Sequence, residues 1–286
     1  MPSLKKYRVW HGTYQGTNYY PTSSYVKKVL TIHDINFMHD EYKSDKKKNK
    51  YLHQLQEKIS RTDHIVAISN FVLDDVKQYI DLKNIPVSII YNGCNIPDNI
   101  APLEKPQQAP TDSFLFTIGT ITEKKNFHVL PALISNNNKF LVIAGIVQSE
   151  GYKQRIIDEA KKWDVADRVI FTDSISDNDK YWYLQNCEAF VFPSLAEGFG
   201  LPVIEAMHFG KPVILSNKTC LPEIGGDAAY YFDNFEGVHM REVLQKSLAD
   251  YNRSSEQAER IKQRSQLYKW SNAAAAYLKI YRSLYS

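Results

Sequence analysis

Cysteine is scarce: the 286 residues hold three, Cys94, Cys187 and Cys220, far apart and with no C-x-x-C pair. That excludes a disulfide framework and leaves each thiol to act as a small apolar residue in a reducing compartment. No apolar run is long enough to span a bilayer, and the opening MPSLKKYRVW lacks the apolar core of a signal peptide. A strong charge of one sign is also lacking, since a net +3 is too small to argue for nucleic acid. There is no internal repeat and no low-complexity array. The expectation is a cytoplasmic protein, with peripheral contact at the inner membrane face as the further possibility to weigh. The composition otherwise suits a globular chain, with 43% hydrophobic and 23% charged residues. Its 19 tyrosines hint at carbohydrate or interface surfaces and serve equally well as amphipathic core edges.

Short β-rich runs alternate with helical patterns almost throughout. Val26–His33 ends in a compact apolar strand, and Lys46–Arg61 reads as a helix with Leu52, Leu55 and Ile59 on one face. His64–Ile68 is a buried strand, Ser69 stands at an N-cap position before a helix over Asn70–Tyr79, and Val87–Tyr91 closes at the turn pair Asn92-Gly93. The texture then changes: Asn95–Asp112 is rich in Pro and Gln, has no helical period and is the best linker. Beyond it come strands over Phe114–Ile118, Phe140–Ala144, Arg168–Phe171, Ala189–Phe192 and Pro212–Leu215. Helical patterns over Asn126–Ser135, Tyr152–Trp163, Asp177–Gln185 and Leu201–Phe209 separate them, and the tail from Glu236 reads as helical. This rhythm predicts an α/β fold with two Rossmann-like lobes, each a parallel sheet with crossover helices, and a ligand site at the carboxyl ends of the strands.

The most informative stretch is Phe192–Pro212, FPSLAEGFGLPVIEAMHFGKP. A strand ends at Phe192, a loop with Gly198 and Gly200 follows, and a helix begins near Leu201-Pro202, where proline fits the first turn. The glycines let backbone approach a ligand, and free N–H groups at a helix start favour a phosphate. Glu197 in the loop and Glu205 on the first helical turns can face one ligand, and a carboxylate accepting two vicinal hydroxyls reads a ribose or a hexose. The plain alternative is a turn followed by an ordinary helical glutamate.

Glu197 through Glu205, with GFGLP between, resembles the E-x7-E signature of the GT4 family of retaining glycosyltransferases, whose fold is GT-B. Phe116–Phe127 (FTIGTITEKKNF), Leu141–Gly145, Lys211–Leu215, Leu221–Gly226, Ala228–Phe232 and the segment around Trp270 resemble further family elements, so the likeness runs over Phe114–Ser286. The resemblance implies that Glu205 binds ribose hydroxyls and that Glu197 contacts the transferred sugar in a catalytic role. It assigns donor binding to Gly119, Gly198 and the backbone amides of Phe199, Gly200 and Leu201. Lys124 and Lys125 would neutralise the diphosphate, with Lys124 standing where the family usually has an arginine fork. His33, in His33-Asp34 at a strand end, resembles the family's cleft-lining histidine and is the other expected catalytic residue. Ser69 matches a family position as well as an N-cap.

The implied organisation is residues 1–100 as a truncated N-terminal acceptor lobe, 112–270 as a complete C-terminal donor lobe, and 271–286 as a helix crossing back to the first lobe. The implied reaction is retaining transfer of a hexose, with GDP-mannose the first donor and a UDP-hexose the second. The acceptor would be a glycan or lipid-linked chain in surface polysaccharide synthesis. No cofactor and no metal are expected. His33, His39, Asp34 and Asp40 lack a tight metal spacing, and Asp177-Asn178-Asp179 reads as a helix start rather than a metal motif. Lys43–Lys50 could dock on anionic headgroups or be a solvated helix start. Because the chain opens near the family's later N-lobe strands, weak transfer, self-association or a companion chain is also expected. The rival readings are a non-catalytic nucleotide-sugar binding subunit and a nucleotide-sugar epimerase.

Overall fold

The computed structural model describes residues 7–39, 43–97 and 100–285. The chain divides into two compact units, one formed by Met1–Gly93 with Tyr268–Ser286 and the other by Cys94–Leu267. Asp40, weighed above as a metal ligand, and most of the opening segment read for a signal peptide lie outside the described residues.

The first unit holds strands β1 (Val9–Gly12), β2 (Lys27–Ile32), β3 (His64–Ala67) and β4 (Val87–Ile89), all parallel and in that spatial order. Helix α1 (Asp45–Ile59) buries Leu55 and Ile59, four residues apart on one face, and Asp45 in its first turn suits the helix dipole. Helix α2 (Asn70–Tyr79) starts at Ser69, whose hydroxyl accepts from the Val72 N–H at 3.1 Å. Ser69 is therefore an N-cap.

The second unit is a six-stranded parallel sheet, β5 (Phe114–Ile118), β6 (Phe140–Ala144), β7 (Val169–Phe171), β8 (Ala189–Phe192), β9 (Val213–Ser216) and β10 (Tyr230–Phe232). Both faces are covered, which is why β5, β6, β8 and β9 read as unbroken apolar runs and are buried almost end to end. The helices are α3 (Glu150–Lys162), α4 (Asp177–Asn186), α5 (Leu201–His208), α6 (Leu221–Gly225), α7 (Gly237–Arg253) and α8 (Glu256–Ser265). Ser176 and Asp179 form a capping box at the start of α4, so the acidic Asp177–Asp179 stretch is a helix start. The helix expected over Asn126–Ser135 is instead a 3-10 helix over Phe127–Ile134. Pro131 inside it has no N–H to give and crowds the preceding turn, which breaks the α-helical ladder. The Pro-rich segment has no helix or strand among its described residues, yet it does not start as a free tether: the Asn95 carbonyl accepts from the Tyr181 hydroxyl of α4 at 3.3 Å.

The order β10-β9-β8-β5-β6-β7 matters most for function. From β5 the chain moves outward through β6 and β7, then returns to lay β8 against the other side of β5 and moves outward through β9 and β10. The strand order therefore reverses between β5 and β8, and open parallel sheets bind ligands above the carboxyl ends at such a reversal.

The closing helix α9 (Trp270–Ser283) belongs to the first unit, where Ala273 and Ile280 pack with Val29, Val66 and Ile90. A polar network reinforces that packing. His11 is bonded at both ring nitrogens, to Thr31 Oγ1 at 2.7 Å and to the Tyr281 hydroxyl at 2.7 Å, and Thr31 meets the Tyr277 hydroxyl at 2.9 Å. Burial, with a smaller push from His33, lowers the His11 pKa to about 4. The unfolded chain then binds a proton between about pH 6.5 and 4 that the folded chain refuses, so stability falls as pH falls through that window. His11→Ala should cost about 2 kcal/mol near pH 7, because the buried Thr31 hydroxyl and the partly buried Tyr281 hydroxyl each lose a partner, and should flatten the acid slope. Thermal unfolding across that pH range checks both, and an unchanged melting temperature at pH 7 would show that the network does not hold α9.

Candidate active site

In the second unit the expected donor residues gather at the reversal between β5 and β8. Gly119 follows β5 directly, and its N–H donates to the Ala144 carbonyl at 2.9 Å. Gly145 follows β6 with φ +141°, and a Cβ there would lie 2.0 Å from the Gly119 carbonyl oxygen. Only glycine lets these two strand ends close together. A Cβ on Gly119 itself would meet Lys125 Cε at 3.2 Å, so the bare glycine leaves the lysine its lane.

The turn Glu123–Lys125 is locked onto the glutamate loop. The Lys124 carbonyl accepts from the Leu195 N–H at 2.8 Å and the Ser194 hydroxyl at 3.1 Å, and Ser216 Oγ donates to the Ser194 carbonyl at 2.5 Å. Ser194 and Ser216 are fully buried, so this ladder forms a floor of fixed polar contacts. Lys125 reaches Glu197 in a direct ion pair, with side-chain exposures of 19% and 13%, and its ammonium lies 5.1 Å from the Phe192 ring centroid. Lys124 contributes its backbone to the floor, and its side chain is exposed.

Glu197 is held at its backbone too. Its N–H donates to Thr219 Oγ1 at 3.2 Å, and the Cys220 thiol donates to its carbonyl at 3.3 Å. The loop then runs through Gly198 and Phe199, whose ring is buried, to Gly200 at φ +92°, the N-cap of α5. A side chain at Gly200 would be strained in that conformation, and its Cβ would press Leu221 Cδ2 at 3.1 Å. Leu201 and Pro202 open the helix; Pro202 has no N–H and the Val203 N–H donates to the Gly200 carbonyl at 3.0 Å, which leaves the Leu201 N–H as the first-turn donor at the helix start. Glu205 sits one turn further along. Burial raises its pKa, and Lys180 of α4, bonded to Oε1 at 2.7 Å, offsets part of that rise. The arrangement brings together Gly119, the backbone of Lys124, Lys125, Glu197, Gly198, Phe199, Gly200, Leu201 and Glu205. Lys180, Thr219, Cys220, Ser194 and Ser216 also build it, and no local sequence signal marked them.

His33 stands in the first unit, just beyond the carboxyl end of β2. Its Nε2 is 2.8 Å from the Thr13 carbonyl, which only accepts, so Nε2 carries the proton and Nδ1 is left as the acceptor. Its N–H donates to Gln15 Oε1 at 3.0 Å, and its ring meets the Tyr14 ring edge-on at 6.0 Å. Next to it a cavity of about 680 Å³ opens, walled by Tyr14, Gln15, Asp34, Phe37, Tyr51 and Lys58 among others. Aromatic faces with amide and charged groups suit a sugar ring. His39 pairs with Asp75 at 2.9 Å. Among the described residues no group of three or more His, Cys, Asp or Glu side chains gathers as metal ligands, and no helix is long and apolar enough to cross a membrane.

The family model described as Glycosyl transferases group 1 matches residues 101–268, and the one described as Glycosyltransferase Family 4 matches residues 6–96. The serotype-specific mannosyltransferase WbdA of Escherichia coli is 31% identical over 240 residues, covering 78% of this chain and 29% of that protein. The chain thus spans under a third of the length of WbdA. The O-antigen chain mannosyltransferase B of Escherichia coli is 27% identical over 296 residues, covering 95% of this chain and 74% of that protein. Among solved structures, sucrose-phosphate synthase from Thermosynechococcus elongatus superposes with a TM-score of 0.76 at 19% identity, over 98% of this chain and 74% of its own. Anabaena HepE in complex with UDP and glucose superposes with a TM-score of 0.71 at 16% identity, over 91% of this chain and 72% of its own. These neighbours have the GT-B glycosyltransferase fold.

Proposed function

Because the chain belongs to the glycosyl transferases group 1 family, we propose that it transfers a hexose, mannose first, from a nucleotide-sugar to a glycan or lipid-linked acceptor in surface polysaccharide synthesis. The observation that carries this reading is the convergence of Lys125, Glu197 and Glu205 with the α5 N-terminus at the reversal between β5 and β8. The mannosyltransferase names of the relatives favour mannose and favour transfer over epimerisation. GDP-mannose is the first donor to test and a UDP-hexose the second.

In this reading the diphosphate lies against the backbone amides of Gly200 and Leu201 at the start of α5 and the ammonium groups of Lys124 and Lys125. Those groups stabilise the charge that builds on the departing phosphate. Glu205 accepts the ribose hydroxyls and Glu197 orients the hexose. The bond from the anomeric carbon to the phosphate oxygen breaks, and the acceptor oxygen bonds to the same face of that carbon. The acceptor proton passes to the leaving phosphate, and the anomeric configuration is retained. The cavity walled by Tyr14 and Asp34 seats the acceptor sugar, with His33 packed against the Tyr14 side of that wall. Setting of the reaction in the cytoplasm fits a nucleotide-sugar donor, and the exposed Lys46, Lys47 and Lys50 on α1 would touch anionic headgroups there.

The test is a transfer assay with GDP-mannose and an oligosaccharide acceptor, with the new linkage read by NMR. One nucleoside diphosphate released per bond of retained configuration supports the reading, and an inverted linkage or an epimerised donor overturns it. Since lysines and helix amides supply the charge that a metal would, EDTA should leave donor binding and transfer unchanged. A loss restored by manganese would contradict that.

A further inference from the structure

Lys180 is the charged neighbour of Glu205. Its Nζ lies 2.7 Å from Glu205 Oε1 and 2.9 Å from Asp177 Oδ1. The inner pair is shielded, with side-chain exposures of 15% for Lys180 and 16% for Glu205, whereas Asp177 is 78% exposed. One ammonium thus bridges an outer carboxylate in solvent and an inner one at the candidate site. Asp177 is three residues before Lys180, in the first turn of α4, so the outer contact is a local helical pair that holds the lysine chain in one direction.

Two facts argue that the inner pair is more than packing. A half-buried ion pair rarely outperforms apolar side chains of the same volume, so it is weak as a stabilising device. Among the described residues, moreover, Lys180 takes only one oxygen of Glu205, Oε1, and no protein donor takes Oε2. The carboxylate is held at one oxygen and presents the other.

We propose that Lys180 is a positioning residue for donor binding, holding Glu205 ionised and oriented so that its second oxygen accepts the donor's hydroxyls. This rests on the reading of Glu205 as the ribose-contacting residue. A carboxyl accepts two hydroxyl donors fully only as the carboxylate. Burial favours its neutral form, and Asp177 adds to that push, so Lys180 is the group that opposes both. The other charges near α5 are engaged elsewhere. On α8, Lys262 pairs with Glu259, Arg260 with Asp227, and Arg264 donates to the carbonyls of Ile224 and Glu223. Strands β8 (AFVF) and β9 (VILS) carry no ionisable side chain. On α4, Asp179 is spent on the Ser176 cap. The Cys94 thiol and the Tyr181 phenol, the latter with its ring under the Lys180 ammonium, are both held neutral, burial raising each pKa and that of Cys94 to about 12.

The sign follows. Affinity that needs ionised Glu205 falls as pH falls through the carboxyl's pKa. Without Lys180 that pKa rises, so affinity falls at a higher pH. The experiment titrates GDP and UDP by calorimetry between about pH 5 and pH 8 into the whole chain and its Lys180→Met, Lys180→Arg and Glu205→Ala variants. Lys180→Met should weaken the better nucleotide about tenfold near pH 6 and less at pH 8, moving the midpoint of acid loss up by about one unit. Lys180→Arg, which keeps the charge, should restore the midpoint. A role in folding alone would lower the melting temperature and leave the midpoint in place. If Glu205→Ala weakens binding while Lys180→Met keeps the wild-type pH profile, the inference fails and the ribose reading stands. If Glu205→Ala binds as tightly as wild type, the ribose reading fails and takes the inference with it.

Discussion

Glu205→Ala should weaken nucleoside diphosphate binding by about tenfold to over a hundredfold, the equivalent of roughly 1.5–3 kcal/mol for hydrogen bonds to a charged group. The loss is assigned to binding rather than folding for a structural reason. Glu205 lies on α5 between the buried Ile204 and Ala206, and its own carboxylate touches only Lys180 among the described residues. After truncation Lys180 keeps its contact with Asp177, so no cation is left buried without a partner. Glu205→Gln retains one acceptor oxygen and should recover part of the loss. Calorimetric titration of GDP and UDP near pH 7.5, beside a melting curve for each variant, checks the expectation. Wild-type affinity in a folded Glu205→Ala protein would remove Glu205 from the site.

Lys125→Ala should separate the diphosphate from the nucleoside. With the lysine paired to phosphate charge, as proposed, GDP should lose about tenfold to a hundredfold while guanosine changes little. The Lys125 ammonium is paired with Glu197, and both side chains are largely buried. Deleting the lysine therefore leaves a shielded carboxylate facing the position of the phosphate, adding repulsion to the lost attraction. Lys125→Arg should keep most of the affinity, because the positive charge remains above Phe192. Equal losses for GDP and guanosine would contradict a phosphate role.

The local elements that frame the site could be read from sequence because local physics sets them, whereas Gly119, Lys124, Lys125 and His33 entered through the family resemblance. Ser69 before an apolar period is an N-cap, and the loop around Gly198 and Gly200 before Leu201-Pro202 is a helix start, whatever the rest of the chain does. The alternation of strands and helices announced parallel sheets, and β5 to β10 all pair in parallel. What could not be read depends on chain segments that are distant in sequence. Lys180 is 25 residues from Glu205, and within its own helix it looks like an ordinary partner for Asp177. The Gly119 and Gly145 contact follows from the register of β5 on β6. The bond between His11 and Tyr281 spans 270 residues. The expected α-helix after Asn126 failed at Pro131, where a strong apolar pattern concealed the missing N–H.

The proposed donor site lies above the reversal between β5 and β8. Hydrogen–deuterium exchange on the whole chain, with and without saturating GDP-mannose or a UDP-hexose, tests it directly. Slowed exchange is expected in two stretches, 119–126 and 197–205, with less slowing there at the same ligand concentration when Glu205 is alanine. Nucleotide-dependent protection confined to the first unit, around Tyr14 to Tyr20 and α1, with none in those two stretches, would contradict it.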